Sequence, residues 1–121
     1  MPYIVGTRGP QTLEMSAGSI QSTITTTTST NASVLVSLST STYRSVNFSI
    51  QAVQGTNYNI TEIKALHDGS NIYMTEYGTI HQPSGIATYS MDLSLGNLRL
   101  LSFPASSNST TFKVVYSAIN N

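Results

Sequence analysis

The stretch from Tyr43 to Gly55, YRSVNFSIQAVQG, alternates Val46, Phe48, Ile50 and Ala52 with Ser45, Asn47, Ser49 and Gln51. Successive side chains of a β-strand point to opposite faces, so this period of two makes a strand with one apolar and one polar face. A helix would spread the same four apolar residues around its circumference. The pattern recurs. In IATYSMDLS, Ala87, Tyr89, Met91 and Leu93 share a parity, and in TTFKVVYSAI so do Phe112, Val114, Tyr116 and Ala118. In ASVLVSLST, Val34, Val36 and Leu38 alternate with Leu35 and Ser37. Turn residues punctuate these runs: Gln54-Gly55-Thr56-Asn57, Asp68-Gly69, HQPSG and Gly96-Asn97. Pro104 suits a strand end, because it cannot donate to a ladder. About eight strands joined by short polar turns predict an all-β chain, an antiparallel β-sandwich or jelly-roll-like barrel whose sequential strands pair as hairpins.

Two segments obey the alternation less well. In YNITEIKALH, Ile60 and Leu66 fall on one parity and Ile63 and Ala65 on the other. A strand bulged near Glu62-Ile63 is expected there. SIQSTITTTTST places Ile20 and Ile24 on one face with Ser22, Thr26 and Thr28, which suits an edge strand. Residues 1–17 differ from the rest, since Pro2, Gly6, Gly9 and Pro10 interrupt any regular element. They are expected to form an extended N-terminal arm, with residues 18–121 as a single sandwich domain.

Charge narrows the function. Only 8% of the 121 residues are charged and the net charge is zero, against about 25% charged in a typical domain. Such a surface has little electrostatic protection against self-association, so a component of an assembly is expected. Arg8, Arg44, Lys64, Arg99 and Lys113 are scattered rather than clustered, which argues against nucleic acid as a partner. No run of about 18 apolar residues is present to span a membrane, and the start MPYIVGTRGPQTLE lacks the form of a signal peptide. Synthesis in a cytoplasm is expected. Zero cysteines leave no disulfide, thiol chemistry or Cys-based zinc site.

The densest cluster of chemical side chains is EIKALHDGSNIYMTEYG, residues 62–78. His67, Asp68 and His81 could begin a metal or acid–base site, with Glu62, Glu76 or Asp92 as a third member. The local reading is plainer: Asp68 makes a hairpin turn and His67 ends a strand. Neither a Gly-x-Ser-x-Gly elbow nor a Gly-rich phosphate loop occurs. Two carboxylates flanking a sugar would need a cleft, and a small sandwich with short turns has little material for one. The expectation is a chain without enzymatic activity, cofactor or metal. Tyr43, Tyr58, Tyr73, Tyr77, Tyr89 and Tyr116 could stack on sugars, although tyrosine is also an ordinary strand and interface residue.

Residues 43 to 116 carry a resemblance. Tyr43-Arg44-Ser45, the strand end from Gln51 to Gly55, His67-Asp68-Gly69, Thr75-Glu76-Tyr77, and Gly96-Asn97-Leu98-Arg99-Leu100-Leu101 before Pro104 follow one another in order. As a set they resemble a β-domain of virion structural proteins of tailed bacteriophages, especially phages of marine bacteria and cyanobacteria. The resemblance covers about three-fifths of the chain and implies a structural, non-catalytic role in symmetric copies within a virion. On that basis the chain is expected to be a capsid decoration (cement) protein, acting as a homo-oligomer, with a trimer favoured, on a major capsid protein or another virion protein. A tail, neck or fibre-associated protein is the first alternative and a carbohydrate-binding module the second. Interface candidates are Tyr3, Ile4, Val5, Leu13 and Met15 in the arm, and Ile20 and Ile24 on the hydroxyl-rich strand.

Overall fold

The computed structural model describes residues 12–121, which form nine β-strands and no helix. They are β1 (Thr12–Glu14), β2 (Gly18–Thr27), β3 (Ser33–Ser39), β4 (Tyr43–Gln54) and β5 (Asn57–His67), followed by β6 (Ile72–Gln82), β7 (Ala87–Ser94), β8 (Asn97–Pro104) and β9 (Thr110–Asn120). All pairings are antiparallel. One sheet has six strands in the order β1-β2-β9-β4-β5-β6, and the other has three in the order β3-β8-β7. The architecture is an open β-sandwich, not a closed barrel.

Period-two segments supply the core as expected. Val46, Phe48, Ile50 and Ala52 of β4 and Phe112, Val114, Tyr116 and Ala118 of β9 are buried against Val36, Leu38, Leu98 and Leu100 of the small sheet. Phe48 and Tyr116 pack with tilted rings 5.5 Å apart, and Tyr89 meets Phe112 edge-on at 6.2 Å. The buried residues lie mainly between β9-β4-β5 and the three-stranded sheet, so β6 on one side and β1-β2 on the other overhang the core.

Local departures explain where alternation misleads. A β-bulge between Val34 and Val36 turns both Leu35 and Val36 inward and leaves Val34 exposed. The irregularity expected in β5 lies at Ile60 to Glu62, and the extra residue belongs to β6, where Gly78 has φ 67°. A left-handed backbone at the bulge suits glycine. The hairpins β4–β5, β5–β6 and β7–β8 form between sequence neighbours, but β3 pairs with β8 and β9 lies between β2 and β4. Of the N-terminal arm, Thr12–Glu14 form β1 against Ser19–Gln21, while residues 1–11, with Tyr3, Ile4 and Val5, lie outside the described residues. Beyond β1, the Thr-rich end of β2 is the sheet edge.

Where β2 meets β9, Gly18 opposes Ile119, and a Cβ at Gly18 would collide with the Ala118 carbonyl oxygen. This obstacle is backbone, so it cannot be relieved by turning a side chain. Gly18→Ala is therefore expected to push β2 off β9 and lower stability by about 1–3 kcal/mol, read as a fall in the urea midpoint. An unchanged midpoint would show that the two strands can separate at no cost.

Candidate functional site

The β5–β6 hairpin holds the side chains that the sequence singles out. Asp68 accepts from the backbone N–H groups of Ser70 (2.9 Å) and Asn71 (2.8 Å) and from the Tyr73 hydroxyl (3.1 Å). The Asn71 amide, then the Ser70 amide, favour the charged carboxylate and pull its pKa from 3.8 down to about 2. The same bond holds the Tyr73 hydroxyl proton and raises its pKa. The carboxylate is consumed by the turn it builds.

His67 is 2% exposed and serves the fold equally locally. Its Nε2–H donates to the Tyr43 carbonyl at 2.7 Å, and its Nδ1 accepts from the Gly69 amide at 3.1 Å. This pair of bonds fixes the neutral, Nε2-protonated tautomer. Arg44 also donates to the His67 carbonyl at 3.0 Å. The ring thus ties the start of β4 to the end of β5 and its turn. His81 pairs with Asn59 at the far end of the hairpin, and Glu76 accepts from Thr61 at 2.9 Å. Asp92 forms a two-point pair with Arg99 (2.8 and 2.6 Å) on the other sheet. Among the described residues, no three His, Asp or Glu side chains cluster as metal ligands.

The remaining polar side chains brace loops and edges. Asn59 is buried, donating to the Ser84 carbonyl (2.8 Å) and accepting from the Ile86 amide (2.7 Å), which seats Ile86 in the core. Gln21 donates to Ser19 and Tyr43 and accepts from Tyr116 at 3.0 Å. Burial raises the pKa of Tyr116, with a smaller contribution from nearby Tyr43, and burial together with Glu76 raises that of Tyr89.

The outer face of the six-stranded sheet is different. Its floor is the polar parity of β4: Ser45, Asn47, Ser49 and Gln51. Two shallow depressions of about 490 and 410 Å³ lie end to end along that floor, the first beside Lys64, Leu66, Tyr73 and Ile119, the second beside Ile60, Glu62, Lys113 and Val115. The Asn47 Oδ1 in the floor is buried and has no hydrogen-bond partner. On both flanks large apolar side chains stand in solvent. Of the interface candidates, Ile20 and Ile24 lie on this face, and Leu13 is cross-strand to Ile20. Met15 is exposed in the β1–β2 turn, where its amide donates to the Gly18 carbonyl at 2.8 Å. The exposed tyrosines Tyr58, Tyr73 and Tyr77 share the face, whereas Tyr43, Tyr89 and Tyr116 are partly or fully buried. The sequence marked Ile20 and Ile24 but missed Ile60, Leu66, Val115 and Ile119. Their signal was an apolar residue on the parity opposite the core, repeated on adjacent strands.

Two solved structures share this fold. One is the tailspike protein gp49 of Acinetobacter baumannii bacteriophage Fri1, a capsular polysaccharide depolymerase: TM-score 0.53, 12% identity, 91% of this chain and 20% of that one covered. The other is the tailspike protein of Acinetobacter phage vB_ApiP_P1: TM-score 0.51, 14% identity, 98% of this chain and 26% of that one covered. The chain thus spans about a fifth to a quarter of the length of the tailspikes it matches. No protein-family model matches it, and no curated protein sequence does. The Fri1 likeness corrects the expectation that the chain is no enzyme. That expectation rested on the lack of room for a cleft, yet a sandwich of this fold occurs within a depolymerase several times its length, so the size of the domain says nothing of catalysis.

The Asp68 turn yields a pH window. Its folded pKa lies below the ordinary 3.8, so its contribution is complete above about pH 4 and is lost as pH falls towards 2. A carboxyl titration followed by NMR is expected to show a midpoint near 2. Asp68→Asn, which keeps an acceptor oxygen but cannot titrate, should remove that component of acid destabilisation. His67→Ala leaves the Gly69 amide without its acceptor and opens a cavity. A loss of about 2–4 kcal/mol in chemical denaturation is expected.

Proposed function

We propose that this chain is a structural domain of a bacteriophage tail spike or tail fibre, carried in the virion in repeated copies. The observation that supports this reading is the fold: 91% and 98% of this chain match parts of two phage tailspikes in overall shape. Weak charge fits the same role, because a chain with a formal net charge of zero associates readily. The polysaccharide activity of the Fri1 spike belongs to that protein, and here the sandwich is read as a part that such a spike is built from. The finer assignment to capsid decoration draws no support from tailspike likenesses, and the tail is preferred. Residues 1–17 serve in this reading as the attachment to a neighbouring virion protein.

Quantitative mass spectrometry of purified particles, with gold-labelled antibody, tests the location. A few to some dozens of copies, with label on the tail, is the expected result. Hundreds of copies with label over the shell would replace the tail by decoration of the capsid. Removing residues 1–11 leaves β1 in place and should abolish incorporation into particles; full incorporation would dismiss the attachment role.

A further inference from the structure

The β7–β8 hairpin turns on Leu95 and Gly96, whose φ angles are 51° and 79°. Ser94 and Asn97 pair across it. Two central residues with positive φ make a type I′ turn, which favours asparagine, aspartate or glycine at the first position. Leucine fits poorly there, because in the left-handed region its Cβ crowds the following carbonyl oxygen. Among the described residues, no other residue except glycine has a positive φ. Leu95 is also 98% exposed, the highest value among the exposed large apolar residues. An exposed leucine is ordinary by itself. One that also strains its backbone, and gains no burial from doing so, is not explained by folding. Strain of this kind gathers where a protein has something else to do.

The tip is fastened from behind. The Gly96 carbonyl accepts from both the N–H and the hydroxyl of Thr40, each at 3.0 Å. The Asn121 side chain donates to the Thr40 carbonyl at 3.1 Å, and its N–H donates to the Thr42 carbonyl at 3.0 Å. Residues 39–42 and 94–97, which form the two turns, include no charged side chain. Leu95 is thus an apolar knob on a braced turn, ringed by hydroxyls and amides. Protein interfaces are commonly centred in this way, on an anchor within a polar rim. A knob already fixed in place loses little freedom on binding.

Resting on the virion reading, we propose that Leu95 is an anchor that enters an apolar pocket on a protein surface of the tail other than this sandwich. The matched part makes up 20% and 26% of the two tailspike chains, so in them a sandwich of this fold is continued by other protein that an end turn can meet. A lipid surface fits less well. Stable membrane docking of a small apolar group also draws on basic residues, and residues 39–42 and 94–97 have none.

The test sets stability against assembly. Leu95→Asn suits the turn and should raise the urea midpoint of the isolated chain by roughly 0.5 M. Particles are then grown from a phage lacking its own copy of the gene, in cells that supply wild type and variant together. Leu95→Asn should enter particles at least about tenfold less well than wild type, the scale of an unfilled leucine pocket. Leu95→Met keeps both the apolar volume and the strained turn, and should enter within about threefold of wild type. In parallel, benzoylphenylalanine in place of Ser41, on the rim, is irradiated in purified particles. A cross-link to one tail protein surface outside this sandwich is expected. Wild type absent from particles overturns this proposal together with the virion reading. Wild type present, with Leu95→Asn entering equally, overturns this proposal alone. So does a cross-link only to a second copy of the sandwich, or binding of the isolated chain to phosphatidylglycerol vesicles that Leu95→Asn abolishes. A urea midpoint that falls in Leu95→Asn would assign the leucine to the stability of its own turn and overturn the proposal as well.

Discussion

Everything in this molecule depends on the contact between three strands and the middle of six. Phe48, Ile50, Phe112, Val114 and Tyr116 fill the space under Val36, Leu38, Leu98 and Leu100. The narrower sheet covers only β9, β4 and β5, so the wider one overhangs on both sides. Beneath the β2 overhang the interior parity becomes polar, with Ser19 and Gln21, and at the other margin the Glu76 carboxylate of β6 accepts from Thr61 of β5. The unequal widths also explain why so many hydrogen bonds between side chains lie at the margin of the core, where burial is incomplete and water is close.

The strands whose two faces differ most in polarity were the most legible in the sequence. β4 could be read directly, because serines, Asn47 and Gln51 stand on one parity and apolar residues on the other. β5 could not. Its buried parity carries Asn59, Thr61 and His67 beside Ile63 and Ala65, and its exposed parity carries Ile60 and Leu66. The polar residues are tolerated inside because each has a partner: Asn59 the β6–β7 loop, Thr61 the Glu76 carboxylate, His67 the Tyr43 carbonyl. Those partners are 15 to 25 positions away, beyond the reach of a local pattern. The bulge in β3 hid Leu35 for a similar reason, since one inserted residue reverses the parity that a reader counts.

The candidate site was legible only in part. The Asp-Gly hairpin and the place of His67 at the end of its strand follow from local turn chemistry. The apolar outer face does not, because it needs strand order as well as strand identity. Ile20, Val115, Ile60 and Ile80 come from four strands, and only the order β2-β9-β4-β5-β6 gathers them onto one face. The size of the domain misled on catalysis, since a sandwich can be one part of a far longer enzyme.

The position of β9 has a further consequence, for the order of events in folding. Gln21 and Tyr116 are hydrogen-bonded although 95 positions separate them. Apart from the bonds of Ser19 and Gln21 to the Tyr43 hydroxyl, the β1–β2 ribbon and the β4-β5-β6 meander are joined through β9, which follows all of them in the chain. During synthesis both wait with an unpaired edge, one Thr-rich and the other backed by Phe48 and Ile50. Closing such distant pairings slows folding, and open edges invite pairing with other chains. The final insertion of β9 is therefore the step at which this polypeptide commits either to its own sheet or to a neighbour's.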